Sequence, residues 1–124
     1  MDVLTLNCGS ATVKAARYQV LADGQVAPTP AARVLGDAPG GVAEAVAGAL
    51  DQVSSPARPP ASIGHRVVHG GPDLTAPTLL DAAVIAQLEA LVPLAPIHQP
   101  PALAGIAAAM ARFPDARHVA CFDP

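Results

Sequence analysis

The chain has 124 residues, a formal net charge of −3 and 14% charged residues, a length that suits one domain or part of a larger one. Its seven lysines and arginines are scattered, which argues against nucleic acid or an anionic membrane as a partner, because both require a basic patch. Two cysteines exclude a disulfide scaffold and favour a reducing, cytoplasmic setting. Neither a secretory signal nor an apolar run of membrane-spanning length is visible.

The first third of the chain predicts three strands. Residues 2–7 are largely apolar at both alternating positions, with Thr5 as an exception, which is typical of a strand covered on both faces. Residues 12–21 carry β-branched and aromatic side chains and predict a hairpin partner for this strand. A short third strand is expected near 31–36, after an Asp-Gly turn and a proline-containing stretch.

Three helices and two further strands, at 62–68 and 117–122, are predicted in the remainder. The second helix begins after an N-cap candidate, Asp81, and the third has Pro101 in its first turn and ends before Pro114. This order predicts a mixed α/β fold, with a sheet of about five strands and flanking helices. The apolar stripes of the first and third helices are Val42, Val46, Leu50 and Val53, and Leu103, Ile106, Met110 and Phe113.

The turn "NCGSAT" between the first two strands has the composition of an anion site. Gly9 and its neighbours Ser10 and Thr12 offer consecutive backbone N–H groups in a tight turn, and the Lys14 ammonium can reach an outer phosphate. Asn7, at the end of the first strand, could approach a phosphate-bound metal through a water molecule. The alternative is an ordinary Gly-Ser hairpin with a solvated Lys14.

The segment "GHRVVHGG" at 64–71 predicts a small amphipathic pocket. Strand alternation puts Arg66 and Val68 on the same face. The guanidinium fork suits a carboxylate or a phosphate, and the valine methyl groups suit a short aliphatic tail. The alternative is an edge strand with Arg66 in a surface ion pair.

Two further polar residues are candidates for the same chemistry. His98 lies in "LAPIHQPP", where the prolines restrict the backbone and present the imidazole at low entropic cost; a solvated or capping histidine is the alternative. Asp123 follows the last strand, and ligands of open α/β sheets bind at the carboxyl ends of strands. It could equally be the N-cap of a following helix.

The order and spelling of these segments resemble the acetate kinase family. The family opens with Asn-x-Gly-Ser and a lysine on the next strand, here Asn7 to Lys14, and its Gly-His-Arg-Val-Val-His-Gly-Gly stands letter for letter at 64–71. "LAPIHQP" at 94–100, "ALAGI" at 102–106 and Phe122-Asp123 continue the resemblance. It implies that residues 1–124 are the N-terminal lobe, a ribonuclease-H-like sheet that forms the first lobe of the actin-like ATPase fold.

The resemblance also implies an activity: transfer of the γ-phosphoryl group of ATP to acetate, with Mg²⁺, giving acetyl phosphate and ADP. A carboxylate substrate is already ionised near neutral pH, so an orienting or metal role is favoured for Asp123 over that of a strong base. The roles carried over are catalysis for Asp123, Arg66 and His98, contact with acetate for Arg66, Val68 and Ile97, ATP binding for Lys14, Gly9, Ser10 and Thr12, and metal association for Asn7.

The departures from the family qualify this expectation. The family's chains are much longer, Gln99 stands where asparagine is usual, and Pro124 stands where threonine is usual. The sequence is therefore expected to be a fragment or a truncated relative that is not a competent kinase alone, from a cytoplasmic homodimer. The alternatives are a fragment of a propionate kinase or another short-chain carboxylate kinase, and a non-catalytic structural or interaction module.

Overall fold

The fold is built on a six-stranded mixed sheet, seen in a computed structural model that describes residues 1–9, 11–38 and 40–122. The strands lie side by side in the order β3-β2-β1-β4-β6-β5. In chain order the elements are β1 Asp2–Cys8, β2 Thr12–Gln19, β3 Ala32–Asp37, α1 Val42–Val53, β4 Ser62–Val67, β5 Thr78–Leu79, α2 Ala82–Ala90, a 3₁₀ turn Val92–Leu94, α3 Gln99–Arg112 and β6 Arg117–Phe122.

The sheet combines an antiparallel meander with a parallel half. β1 pairs with β2, and β2 with β3, in antiparallel register. β1, β4 and β6 run parallel, and α1 and α3 lie in the connections between them, as parallel pairing requires a long crossover. The predicted mixed α/β fold is confirmed.

Two expectations about the sheet are corrected. A sixth strand, β5, pairs with β6 in antiparallel register; its two residues are too few to show alternation in sequence. β1 is not covered on both faces, because Thr5 is exposed while Leu4 and Leu6 are buried. β1 is central, but the helices described here pack on one face only, and the opposite face, here called the open face, carries polar side chains.

The core consists of two clusters on the covered face. The larger one joins the strand residues Leu4, Leu6, Val13 and Ile63 to α1, where the predicted stripe is confirmed. The smaller one lies under α2 and the second half of the sheet. It comprises Val67, Leu80, Leu88, Ile106 and Ala120.

α3 approaches the sheet closely because its inner face is made of small residues. A Cβ added at Gly105 would lie 2.5 Å from the Cys8 sulfur, whereas real Cβ atoms keep a larger separation. Ala102 and Ala109 are buried on the same helix face. Leu103 and Met110 of the predicted stripe pack at the side, against the smaller cluster, and are only half-buried.

The predicted helix ends agree with the structure. Asp81 caps α2, since its carboxylate accepts a hydrogen bond from the backbone N–H of Val84 at 2.8 Å. Pro101 lies in the first turn of α3, and Pro114 follows the last helical residues. Within the three described stretches of chain, no helix has the length and apolar character needed to cross a membrane.

A buried histidine pair links β4 to β6. His118 Nε2 lies 2.9 Å from the Phe113 carbonyl oxygen, and because a carbonyl only accepts, this nitrogen carries the proton. The other nitrogen of His118, Nδ1, lies 3.0 Å from His65 Nε2 and accepts a hydrogen bond from its N–H. Burial, and to a lesser degree His118, lowers the pKa of His65 to about 3. His65 is therefore uncharged at neutral pH, and a directional hydrogen bond joins the two rings.

Candidate functional site

A tight hairpin places two predicted site residues side by side. The turn between β1 and β2 is closed by the Gly9 N–H, which donates to the Thr12 carbonyl oxygen at 2.8 Å. Asn7 lies directly opposite Lys14 in the antiparallel register, so the two side chains project on the same face of the sheet. That face is the open face, because Leu6 and Val13, their neighbours in sequence, are buried under the helices.

Arg66 extends this row onto the next strand. The last parallel pair between β1 and β4 joins Leu6 to His65, so the following residues, Asn7 and Arg66, lie beside each other at the end of both strands. Arg66 is exposed, and Val68 two residues later borders the same cavity. The prediction that Arg66 and Val68 lie on the same face is confirmed, because both border this cavity.

The start of α3 brings His98 to the same place. His98 is the N-cap residue of α3 and is exposed. The next residue, Gln99, is fully buried, and its amide nitrogen donates to the carbonyl oxygens of His69 and Leu88, both at 3.1 Å. These two bonds tie the first residues of α3 to the loop after β4 and to α2. Sequence reasoning did not assign Gln99 this role.

A cavity of about 260 Å³ lies where the hairpin, the end of β4 and the start of α3 meet. It brings together most of the predicted site residues, from three separate parts of the chain. Cys8 and Ala102 complete its wall and were not predicted to be site residues. The lining residues are Asn7, Cys8, Gly9, Thr12, Lys14, Arg66, Val68, His98 and Ala102.

The composition of this wall suits a small anion. Lys14 and Arg66 supply two cationic groups, and none of the lining residues that the structure describes is acidic. The N-terminal end of α3 adds the positive end of a helix dipole, and Val68 and Ala102 give the cavity an apolar side. Such a wall can hold a phosphate or a carboxylate that carries a short aliphatic group.

Cys8 is in this wall but is unsuited to act as a nucleophile. Burial raises the pKa of its thiol to about 12, and the thiolate is the reactive form. Its structural role is contact with α3, where Gly105 leaves room for the sulfur.

A second and larger hollow of about 710 Å³ adjoins the first on the open face. It shares Asn7, Lys14 and Arg66 with the smaller cavity and adds Arg33 from β3 and Cys121 from β6. Arg33 and Cys121 were not predicted to be site residues. Cys121 lies beside Arg66 because the two residues pair between β4 and β6. The sequence pattern does not show which distant strands become neighbours, so it gave no signal for Cys121.

One predicted site residue, Ile97, does not line the cavity, and the places of two others cannot be compared with it. Ile97 stands one residue before the N-cap of α3. Its side chain is 66% exposed and is not part of the cavity wall, so the predicted contact with acetate has no support in the structure. Ser10 and Asp123 lie outside the described residues, so their assigned roles stay predictions.

The donor set fits a phosphoryl group better than a directly ligated metal ion. Among the residues that the structure describes, no group of three or more His, Cys, Asp or Glu side chains could hold a metal ion. Asn7 offers one amide oxygen next to the two cations. Mg²⁺ keeps several waters and is commonly held through substrate phosphates, so Asn7 fits a contact with such an ion through a water molecule.

Sequence comparison finds close relatives for part of the chain. An acetate kinase from Nitrobacter hamburgensis is 55% identical over 64 residues, which is 52% of this chain and 16% of the relative. An acetate kinase from Streptomyces avermitilis is 56% identical over 63 residues, again 16% of the relative. The matched segment is thus a small part of these proteins.

Structure comparison extends the likeness over nearly the whole chain. The crystal structure of Porphyromonas gingivalis acetate kinase matches 98% of this chain and 37% of its own length, with a TM-score of 0.74 and 28% identity. A propionate kinase from Francisella tularensis matches 98% of this chain and 36% of its own, with a TM-score of 0.70 and 26% identity. The expected fold class, that of the actin-like ATPases, is therefore confirmed. The sequence model of the acetokinase family matches residues 35–124, which is well over half of this chain, and the chain therefore belongs to the acetokinase family.

Proposed function

We propose that residues 1–124 form the N-terminal lobe of an acetate kinase, which transfers the γ-phosphoryl group of ATP to acetate and gives acetyl phosphate and ADP. The observation that carries this proposal is the 260 Å³ cavity, where two cations, an amide, an imidazole and a valine converge. Since the chain spans 37% of the Porphyromonas gingivalis structure, turnover is assigned to a protein of the family's length, and anion binding to this lobe.

The proposed roles follow from the chemistry of each side chain. The Arg66 fork binds the acetate carboxylate and the transferring phosphoryl group, and Val68 contacts the acetate methyl group. Lys14 and the Thr12 hydroxyl bind phosphate oxygens, and Gly9, which has no side chain, lets a phosphate approach the turn closely. His98, beside the cavity, donates a hydrogen bond to the phosphoryl group. Ser10 belongs to the phosphate-binding turn, and Asp123 orients the reacting groups.

In the proposed reaction an acetate oxygen forms a bond to the γ-phosphorus as the bond from phosphorus to the ADP oxygen breaks. Acetate is ionised at neutral pH, so no strong base is needed. ATP supplies the phosphoryl group, and Mg²⁺, when bound, neutralises charge on its phosphates. The chain's own residues hold the two anions together against their mutual repulsion, which is where phosphoryl transfer gains most of its rate.

The remaining expectations belong to this proposal. The complete enzyme is proposed to work in the cytoplasm as a homodimer, with ATP and acetate as its small-molecule partners and neither nucleic acid nor membrane as a partner. The scattered basic residues and the net charge of −3 support the last point.

A propionate kinase is the second candidate, favoured by the likeness to the Francisella tularensis propionate kinase. The two functions differ by one methylene group, which a hydrophobic pocket distinguishes by roughly 1–3 kcal/mol. Competition between acetate and propionate for the lobe's anion site separates them. A non-catalytic module would bind neither acid at this site.

The test is a nuclear magnetic resonance titration of the ¹⁵N-labelled chain with acetyl phosphate, which joins the acetyl group to an anionic phosphate in one molecule. We expect saturable shifts of the Gly9, Thr12 and His98 backbone amides, with a dissociation constant in the millimolar range or weaker, roughly 4 kcal/mol. Arg66→Ala should weaken binding about tenfold or more, since a hydrogen bond to a charged group contributes about 1.5–3 kcal/mol.

Arg117→Ala is the matched control. Arg117 is the first residue of β6, at the end of the strand away from Cys121 and Phe122, and it is not part of the cavity wall. It should leave binding unchanged. Equal losses in the two variants would show that acetyl phosphate binds by overall charge, and the absence of shifts at the hairpin amides would refute the assigned site.

A further inference from the structure

β3 ends the sheet on one side, and its outer backbone groups can be identified. Ala38 N–H donates to the Ala11 carbonyl oxygen at 2.9 Å, in the register that pairs Asp37 with Thr12 and Gly36 with Val13. Hydrogen-bonded pairs alternate along an antiparallel ladder, so the even-numbered residues of β3 bond to β2. Residues 33, 35 and 37 therefore point their N–H and C=O groups away from the sheet.

The side chains of the same three residues are arranged symmetrically about Leu35. Arg33 and Asp37 lie two residues to either side and carry opposite charges, and all three side chains are exposed on the open face. Leu35 is 66% exposed. Neither Arg33 nor Asp37 forms an ion pair within residues 1–9, 11–38 and 40–122.

We propose that β3 is a self-complementary edge, at which two copies of this chain pair antiparallel about a two-fold axis through Leu35. Leu35 then faces the partner's Leu35, and Arg33 faces the partner's Asp37 twice. All outward backbone groups of residues 33, 35 and 37 are hydrogen-bonded in this register, and the two sheets become one continuous sheet.

Other registers of the two β3 strands form fewer ion pairs and fewer backbone hydrogen bonds. A shift by two residues places Leu35 opposite Arg33 or Asp37, which removes both ion pairs and leaves outward backbone groups unpaired. A larger shift brings Arg33 opposite the partner's Arg33, or Asp37 opposite the partner's Asp37, and like charges directly opposite each other are destabilising. Charge and hydrogen bonding thus select one register.

The charges of an edge strand can also protect it from association, as charged side chains commonly do. What distinguishes this edge is the pairing of unlike charges at equal distances from a central exposed leucine, which makes the strand attract its own copy. The partner is therefore a second copy of this chain, and the interface is independent of the anion cavity and of the proposed phosphoryl transfer.

The proposal is tested by exchanging the charges of Arg33 and Asp37 and measuring the dimerisation of each variant by sedimentation velocity. The unmodified chain should dimerise reversibly. Arg33→Asp and Asp37→Arg should each weaken dimerisation about tenfold or more, because each replaces both attractive cross-strand pairs by repulsive ones. An equimolar mixture of these two variants should regain the dimer, since the two carboxylates on the edge strand of one variant then face the two guanidinium groups on that of the other. The doubly exchanged chain should regain the dimer alone.

Asp115→Arg, a charge reversal in the turn before β6, is the control and should not change the dimer. The register has its own test in Leu35→Cys, made in a Cys121→Ser background. Directly hydrogen-bonded residues have Cα atoms about 5.5 Å apart, a separation that a disulfide spans, so mild oxidation should give a covalent dimer. A chain that stays monomeric, a dimer indifferent to both charge reversals, or a mixture that fails to recover would overturn the proposal.

Discussion

At the scale of single residues, Cys8 and Cys121 place the same thiol in opposite surroundings. Burial raises the pKa of Cys8 to about 12, so at pH 8 only about one molecule in ten thousand carries its thiolate. Cys121 is exposed on the open face. We expect iodoacetamide to alkylate Cys121 at least about a hundredfold faster, as measured by peptide mass spectrometry. Denaturant should remove the difference; equal rates in the folded protein would contradict the burial of Cys8.

At the scale of elements, the contact between α3 and β1 depends on a glycine. Gly105→Ala places a Cβ against the Cys8 sulfur, and we expect a loss of about 1–2 kcal/mol of unfolding free energy, because overpacking outweighs the gain in helix propensity. Gly48→Ala in α1, where an added Cβ meets nothing within 4 Å, should instead stabilise by about 0.5–1 kcal/mol. Urea denaturation measures both. Adding Cys8→Ala to Gly105→Ala should recover part of the loss; no recovery would place the strain elsewhere.

At the scale of the whole molecule, the buried pair of His65 and His118 makes stability depend on pH. Below about pH 6.5 the unfolded chain binds a proton at His65, but the folded protein does not until about pH 3. The unfolding free energy should therefore fall by about 1.4 kcal/mol per pH unit across this window as the solution is acidified. His65→Leu should be less stable at neutral pH, because His118 Nδ1 loses its donor. It should also lose stability less steeply on acidification; parallel curves for the two proteins would refute this origin.

Local chemistry was enough to predict much of the fold. The Asp81 cap, the prolines that bound α3 and the apolar stripe of α1 each depend on residues within a few positions of one another. The spelling of residues 64–71 was enough to indicate the family, and the hairpin and the alternation around Arg66 predicted side chains that meet in one cavity.

Other features required the tertiary structure, because they depend on which strands become neighbours and which faces are covered. Nothing near β5 in sequence marks two residues as a strand, since only β6 gives them a hydrogen-bonding partner. In sequence, Gln99 looks like any surface glutamine. Only the tertiary structure shows that its amide nitrogen donates to carbonyl groups of two distant segments. Arg33 and Leu35 read as an ordinary strand until the sheet order makes β3 an edge. The sequence by itself thus determined the helices, five of the six described strands and the polar side chains that are candidates for the site, while long-range pairing decided which face stays open and which side chains share it.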